Sequence, residues 1–171
     1  MEQNIAELKK KLETQRPEQW ELIPDIDLYM DQIIAYMKRQ HIGLASEEEE
    51  TLTSSMINNY IKSGVLPRAK GKRYDREHIA YLTAVCLLKQ ILSVKDTGAL
   101  LKVLMEADGT EDFYKEYREV VDREYAAVAE ELTDAPSREE LARMALTLAV
   151  SSYAQKYACQ RIVEMLEDYS D

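Results

Sequence analysis

Apolar residues recur at helical spacing along most of this chain, and their pattern predicts seven helices. The first two are expected over residues 1–16 and 25–40. In the second, Tyr29, Ile33 and Met37 recur at helical spacing. The pattern therefore indicates a mainly α-helical protein.

Short polar residues mark the positions where the later helices begin. The side chain of such a residue accepts a hydrogen bond from the first turn, whose N–H groups otherwise lack partners. Ser93 and Ser137 each stand three residues before an acidic residue, a spacing typical of a capping box. The expected capping residues are Thr53 or Ser54, Asp75, Ser93, Thr110 and Ser137.

The helices that follow Asp75 and Ser137 are both apolar, but we expect different surroundings for them. Apolar residues wrap around much of the helix after Asp75, which marks it as the centre of a core. The helix after Ser137 could run about 30 residues, or roughly 45 Å. It and the helix before it carry more apolar surface than they can bury between themselves. The domain formed by the preceding part of the chain, or a second copy of the chain, should cover the rest.

Composition supports the helical class and excludes others. The 171 residues include only five glycines and four prolines, and no charge-free apolar run approaches the roughly 20 residues of a membrane helix. The N-terminal residues lack the apolar centre of a secretory signal. Cys86 and Cys159 lie in apolar helical patterns, where reduced thiols are expected. We therefore expect a cytoplasmic protein with no membrane contact.

Charge is distributed unevenly along the chain, whose net charge is −10. Residues 51–95 carry eight Lys or Arg and two acidic residues, whereas the other 126 residues carry 14 basic and 30 acidic side chains. A basic segment inside an acidic protein indicates a polyanionic partner, most commonly nucleic acid. The acidic run Glu47–Glu50, by contrast, is typical of a solvated face.

Residues 65–74 are expected to form a basic β-hairpin between two helices. Val65 and Leu66 begin an extended piece, and Pro67 confines it to a sheet edge because proline cannot donate to a central ladder. Residues 69–72 form the tip, and the chain then returns. The hairpin is expected to contain two short strands.

The order of these elements resembles the winged helix-turn-helix of MerR-type transcription regulators. In that family a tyrosine lies four residues before a Gly-apolar-apolar triplet, as Tyr60 lies before Gly64-Val65-Leu66. A proline-containing wing then ends in Arg-Tyr, as residues 73–74 do here. This chain departs from the family at Asn58, where those regulators usually have arginine. It also has a longer turn between the first two helices of the motif.

A second likeness covers more of the chain, roughly residues 20–105. The segments IPDIDLYMDQIIAYM, LTSSMINNYIKSGVLP and KRYDREHIAYL are similar to those of a bacterial family catalogued as domain of unknown function 1836. Its members occur mainly in Gram-positive Firmicutes and are thought to be MerR-like regulators. The likeness implies a mainly α fold, in which a MerR-like winged helix-turn-helix with a small two-stranded wing precedes a long antiparallel helix pair.

The resemblance also implies a division of the chain and a set of DNA contacts. An N-terminal helical arm (1–20) precedes a winged helix-turn-helix DNA-binding domain (21–108) and a helical dimerisation or effector region (109–171). The helix after Thr53 would enter the major groove with its N-terminus first, and Asn58 and Asn59 would read adenine. The implied DNA-binding residues are Ser54, Ser55, Asn58, Asn59, Lys62, Arg68, Lys70, Lys72, Arg73 and Arg76. Five or six phosphate contacts predict a log–log salt slope of about −5 per subunit.

A single winged domain reads only half a site, so the DNA-binding form should be a homodimer joined through residues 109–171. The tyrosines of this region could line a pocket for a small-molecule effector, although tyrosines at helical spacing are more often core residues. They are Tyr114, Tyr117, Tyr125, Tyr153 and Tyr157.

We therefore expect a sequence-specific DNA-binding transcription regulator, a repressor, that acts as a homodimer on double-stranded DNA. The alternative is an acidic helical adaptor or anti-regulator that keeps the winged fold and binds protein instead of DNA. An enzyme is not expected, because His41 and His78 are the only histidines and the sequence has no spacing typical of zinc or di-iron ligands. No cofactor or metal is expected. The sequence leaves open whether Glu47–Glu50 faces DNA.

Overall fold

The computed structural model describes residues 4–40, 42–44 and 52–169. Within these ranges the chain forms seven α-helices, which confirms the mainly helical class. A short 3₁₀ turn, Trp20–Leu22, lies between the first two. In chain order the helices are α1 (Ile5–Thr14), α2 (Met30–Lys38), α3 (Ser54–Lys62), α4 (Arg76–Leu88), α5 (Val94–Asp108), α6 (Thr110–Glu131) and α7 (Arg138–Asp168).

Helix α4 is the centre of the core, as its apolar pattern predicts. Eight of its thirteen residues are buried, and α2, α5 and α6 pack around it. The side chains of Ile79, Leu82 and Val85 are almost fully enclosed. Asp75 caps the helix, since its carboxylate accepts a hydrogen bond from the N–H of His78 at 3.2 Å. This enclosure fixes the end of the basic segment that leads into α4.

Helix α2 begins at Met30, later than the predicted start at residue 25. The preceding residues are extended because both the N–H and the C=O of Leu28 bond to Tyr74, each at 2.8 Å. Tyr29 is then the N-cap, and its N–H donates to the side chain of Gln32 at 2.9 Å. Pairing between distant parts of the chain therefore overrides the local helical pattern here.

Helix α6 joins the same core as α4. Tyr114, Tyr117 and Val121 are buried in the main cluster, and the Tyr114 hydroxyl donates to the carbonyl of Glu18 at 2.7 Å. Burial raises the pKa of the Tyr114 phenol well above its usual range. Side-chain packing thus crosses the predicted boundary after residue 108, and the three-part division of the chain stays a prediction.

The N-terminal arm, α1, lies along α6. Leu12 is buried with Ala129 and Leu132 in a small second cluster near the end of α6. Just after α1, Arg118 of α6 donates to the carbonyl of Pro17 at 3.0 Å. Helix α6 is therefore covered by α1, α4 and α5.

The predicted antiparallel pairing of the last two helices is confined to the residues near the turn between them. Helix α7 packs mainly against α5, where Val163 is buried and Gln160 donates to the carbonyl of Ile91 at 3.4 Å. Near the turn, the N–H of Thr133 meets the sulfur of Met144 at 3.4 Å. The apolar stripe of α6 is buried largely against other helices. Helix α7 therefore meets only the end of α6, where Met144 and Leu148 pack against the second cluster.

The predicted two-stranded wing is also wrong, because the described part of the chain contains no strand. What remains is a single bridge between Lys70 and Arg73, whose backbone groups exchange hydrogen bonds of 3.0 and 3.1 Å. In an antiparallel ladder the next hydrogen-bonded pair would join Arg68 and Asp75. The imidazole of His78 lies between them instead, with Nδ1 3.2 Å from the N–H of Asp75 and Nε2 3.2 Å from the Arg68 carbonyl. The His78 side chain thus takes the place of the hydrogen-bonded pair that would have extended the ladder.

Candidate nucleic-acid interface

Helix α3 is short and amphipathic, with one face in the core and one in solvent. Its cap is Thr53, whose hydroxyl accepts from the N–H of Met56 at 3.2 Å. Ile57 and Tyr60 are buried beneath the helix. Its exposed residues include the predicted ones, which we call the α3 outer face: Ser54, Ser55, Asn58, Asn59 and Lys62. None of them is acidic, so the face carries only neutral polar groups and one cation.

The turn after α3 fixes the direction in which the chain leaves it. Gly64 adopts a left-handed φ of 75°, which residues with a Cβ rarely accept. The N–H groups of Val65 and Leu66 both donate to the carbonyl of Tyr60, at 2.9 and 3.1 Å. Both side chains are buried. A Cβ on Gly98 of α5 would lie only 2.9 Å from Val65, so this connection is held tightly against the core.

The basic turn (residues 68–73) reverses the chain through two left-handed residues. Gly71 has a φ of 57° and Lys72 has a φ of 62°. Two consecutive positive φ angles are typical of the type I′ turn, whose twist suits a tight reversal. Lysine is an unusual residue at such a position, and its side chain is exposed at the tip.

Asp75 holds one side of the basic turn. Its carboxylate accepts from Lys70 Nζ at 2.8 Å and lies 2.7 Å from His78 Nδ1. Partial burial alone would raise the pKa of Asp75, but the hydrogen bonds from Lys70 and His78 outweigh it and lower the pKa to about 2. The same contact raises the pKa of Lys70 above its usual value. Lys70 is therefore exposed but already paired with an acid.

Arg73 projects from the other side of the basic turn onto Tyr29. Its Nη2 donates to the Tyr29 hydroxyl at 3.2 Å, and its guanidinium carbon lies 5.3 Å from the centre of the ring. Both side chains are exposed, Tyr29 by 49%. Sequence reasoning missed Tyr29 as a site residue because helical spacing grouped it with Ile33 and Met37, both buried. The signal that identifies it is the pairing of the preceding residue with Tyr74.

Among the predicted DNA contacts, Arg76 is the residue whose placement is least suited to reaching a phosphate. Its guanidinium lies over Trp20, 5.4 Å from the ring, and 3.9 Å from the carboxylate of Asp25. The side chain is only 23% exposed, and its buried Nε has no hydrogen-bond partner in the part of the chain that the structure describes. Of the ten predicted site residues, the other nine are exposed.

His78 is a second residue that sequence reasoning did not assign. It is 1% exposed and supports the basic turn from below through its contacts with Arg68 and Asp75. The spacing of Asp75 and His78 matches a capping box, which is the signal in the sequence that could have identified it. The acidic residues Glu47–Glu50 lie outside the described residues.

The five tyrosines that could have lined an effector pocket do not come together at one site. Tyr114 and Tyr117 are buried in the core. Tyr153 and Tyr157 stack on each other on exposed α7, with their rings 6.4 Å apart. Tyr125 is half-buried near the end of α6. The reading of Tyr114 and Tyr117 as core residues is confirmed.

Comparison with known proteins identifies the family. The profile of a family described as Domain of unknown function (DUF1836) matches residues 18–120, about three fifths of the chain. The chain belongs to this family. The match begins just after α1 and ends within α6, so it includes α3, the basic turn and most of the main core. No curated protein and no solved structure matches the chain.

Two further properties bear on possible ligands and location. Across the described ranges, no helix combines the length and the low charge needed to cross a bilayer. The same residues hold no group of three His, Cys, Asp or Glu side chains arranged for a metal ion. A cytoplasmic location stays a prediction.

Proposed function

We propose that this DUF1836 protein is a sequence-specific transcription regulator that binds double-stranded DNA. In this proposal α2 and α3 form a MerR-like helix-turn-helix, and the basic turn is a wing reduced to its tip. The observation that carries the proposal is the α3 outer face, which exposes polar residues and no acid. The last residue of this face is Lys62, and the exposed Arg68 follows it six residues later. Six residues span at most about 20 Å, so both surfaces can meet one duplex.

The α3 outer face has the chemistry that reading base edges requires. Asn58 and Asn59 can each pair through the side-chain amide with N6 and N7 of adenine. Ser54 and Ser55 lie in the first turn, where hydroxyls and unpaired backbone N–H groups favour a phosphate. The helix would thus meet the major groove with its N-terminus leading.

The cations available to phosphates are fewer than the sequence predicts. Lys70 is paired with Asp75, and Arg76 lies against Trp20 and Asp25. The exposed cations that remain among the predicted DNA contacts are Lys62, Arg68, Lys72 and Arg73. Four phosphate contacts correspond to a log–log salt slope of about −4 per subunit and about −7 for a dimer. A slope shallower than about −2 on every duplex would contradict the proposal.

Helix α7 supports the homodimer that a palindromic site would need. Four large apolar side chains spaced four, three and four residues apart form an exposed stripe, which we call the α7 apolar face: Leu146, Val150, Tyr153 and Tyr157, exposed by 67, 61, 73 and 54%. This spacing brings them to one side of a helix. Isolated exposed apolar residues are ordinary, whereas a continuous stripe of this length is typical of an interface. A second copy of the same face is the expected occupant.

Capture of sheared genomic DNA from the source organism, followed by sequencing, tests the proposal. Lys72→Ala/Arg73→Ala is the test variant. Lys10→Ala/Lys11→Ala, which removes the same charge from exposed positions of α1, is the matched control. We expect the wild type and the control to retain a palindromic motif upstream of genes, and the test variant to lose it.

The same experiment evaluates the alternative. If all three proteins recover DNA without enrichment, the protein does not act through DNA. The acidic adaptor or anti-regulator, engaging a protein through its helices, would then be the better account. Asn58→Ala/Asn59→Ala sharpens the result, because it should abolish sequence preference and leave the salt slope nearly unchanged.

A further inference from the structure

We propose that Tyr29 is a positioning residue for DNA binding: it orients the Arg73 guanidinium toward a backbone phosphate. The inference rests on the proposed function and adds to it a residue outside the helix and the basic turn. The contact itself has two parts, a hydrogen bond of 3.2 Å from Arg73 Nη2 to the Tyr29 hydroxyl and a ring contact at 5.3 Å.

The backbone brings these two side chains together. Leu28 and Tyr74 form an antiparallel bridge through two hydrogen bonds of 2.8 Å. The residues next to them, Tyr29 and Arg73, therefore occupy the following cross-strand position, where side chains lie closest on one face. Their contact follows from the register of this bridge and is not an accidental meeting of two flexible side chains.

Tyr29 is itself held in place. It is the N-cap of α2, and its N–H donates to the Gln32 side chain at 2.9 Å. The ring thus stands on the end of a helix that packs against the core helix α4. Arg73, by contrast, comes from a turn whose neighbouring bridge contains only one residue pair. The fixed residue is the tyrosine, and the residue that it orders is the arginine.

Arg73 keeps most of its hydrogen-bonding capacity in this arrangement. A guanidinium has five N–H donors in a planar fork, and Tyr29 uses one of them. Within the described residues Arg73 takes part in no salt bridge, unlike Lys70 and Arg76. The remaining donors can meet a phosphate in the bidentate manner that arginine favours. Ordering the side chain beforehand lowers the entropy cost of that contact.

The fold alone gives little reason for this pair. Both side chains are exposed, and an exposed cation–ring contact contributes only modestly to stability. The Arg76–Trp20 pair is a useful contrast, because there the guanidinium is mostly buried and directed at the protein's own Asp25. Tyr29 instead presents its arginine to solvent.

A double-mutant cycle in DNA binding tests the inference. The variants are Tyr29→Phe, Tyr29→Ala and Arg73→Ala, singly and combined, with fluorescence anisotropy of a labelled mixed-sequence duplex at low salt as the measurement. We expect Tyr29→Phe to weaken binding about threefold to fivefold, and Tyr29→Ala about tenfold. In the Arg73→Ala background each change should cost less than about twofold. Tyr169→Phe, at an exposed tyrosine beyond α7, should leave affinity unchanged.

A measurement without DNA separates this inference from the proposed function. Nuclear magnetic relaxation of the Arg73 Nε–H group in the free protein should report an ordered side chain in the wild type and a mobile one in Tyr29→Ala. Thermal unfolding should show both proteins folded. If the wild type binds DNA but Tyr29→Phe has no effect, or weakens binding equally without Arg73, the positioning role is overturned and the regulator stands. If the wild type binds no duplex, both fail together.

Discussion

Helices α4 and α7 are both rich in apolar residues, yet the molecule uses them in opposite ways. Helix α4 buries eight of its thirteen residues. Helix α7 runs for 31 residues, and Val163 is the buried one among its described side chains. An apolar helix must be covered by something, because exposed apolar surface is unfavourable in water. For α4 the cover is the same chain, whereas the α7 apolar face stays exposed and would be covered by the second copy proposed above.

The difference shows what hydrophobic patterning can and cannot tell. Patterning identifies segments that favour burial, but the surface that buries them can belong to another molecule. The segment 145–155 of α7 contains no charged residue, much like the centre of α4, and only its position after a completed core distinguishes it. Stability should therefore depend on α4 at any protein concentration, and on the α7 apolar face only when a partner is present.

Matched truncations should give the largest contrast. Leu82→Ala removes a side chain that is fully enclosed in α4, and we expect it to lower the free energy of unfolding by about 3 kcal/mol. Leu146→Ala removes the same atoms from a position 67% exposed on α7. In dilute protein it should change the free energy of unfolding by less than about 0.5 kcal/mol. Urea unfolding followed by circular dichroism measures both.

The protein concentration serves as the control for that pair of variants. At high concentration Leu146→Ala should become destabilising relative to the wild type, since dimerisation contributes to stability by mass action. A large effect of Leu146→Ala in dilute protein would mean that α7 is buried within its own chain, and the comparison would fail.

Charges placed on the α7 apolar face should separate the copies. Val150→Glu/Tyr153→Glu should produce a monomer in sedimentation velocity at concentrations where the wild type is a dimer, because the charges would be desolvated at an apolar interface. Ser151→Glu/Gln155→Glu adds the same two charges to the opposite side of α7, where the two side chains contact each other at 3.3 Å, and should remain dimeric. A monomeric wild type, or equal effects from both variants, would rule out this interface.

The sequence predicted the elements better than their neighbours. All seven helices were predicted, as were the caps at Asp75, Ser93 and Ser137 and, as one of two candidates, Thr53, because helical period and capping are local properties. The predicted cap at Thr110 was wrong, since α6 begins at that residue and Gly109 is its N-cap. The start of α2 and the two-stranded wing were wrong for a shared reason. Leu28 pairs with Tyr74, and His78 takes the place of the next ladder pair, so contacts between distant residues decided both.

The candidate site shows the same division between local and distant effects. Exposure of the α3 outer face followed from helical periodicity, and the structure agrees. The partners of Lys70, Arg73 and Arg76 did not follow from it. Asp75 is five residues from Lys70, but Tyr29 and Trp20 are more than forty residues from the arginines that they contact. Such pairs depend on tertiary register, which a single sequence does not display.

The stability contributed by the cap of α4 should depend on pH more strongly than the stability contributed by the cap of α7. The pKa of Asp75 is about 2 in the folded protein, below its ordinary value of 3.8. A lowered pKa contributes stability above about pH 4, and that contribution is lost as the pH falls from 4 toward 2. Allowing for solvent screening, we expect the lowered pKa of Asp75 to contribute about 1 kcal/mol to the free energy of unfolding. Urea unfolding of the wild type and Asp75→Asn should differ by this amount at pH 5 and converge near pH 2.

The matched variant for Asp75→Asn is Glu140→Gln, in the capping box that opens α7. Glu140 accepts from the N–H of Ser137 at 2.7 Å, which lowers the pKa of Glu140, but the box is exposed to solvent. We expect Glu140→Gln to change the pH dependence of the free energy of unfolding less than Asp75→Asn does. Equal effects would mean that enclosure of the α4 start adds nothing to the electrostatics of its cap.

The smallest expected effect on stability is that of Lys72→Gly. At a φ of 62° the lysine backbone is strained, and glycine removes that strain. Glycine also makes the unfolded chain more flexible, which opposes the gain. The free energy of unfolding should therefore change by less than about 0.5 kcal/mol. DNA affinity at low salt should nevertheless fall, and the salt slope should become shallower by about 1, since one phosphate contact is lost. Lys72→Gly with unchanged DNA binding would mean that the lysine at the tip of the turn makes no phosphate contact, and that glycine would serve equally well there.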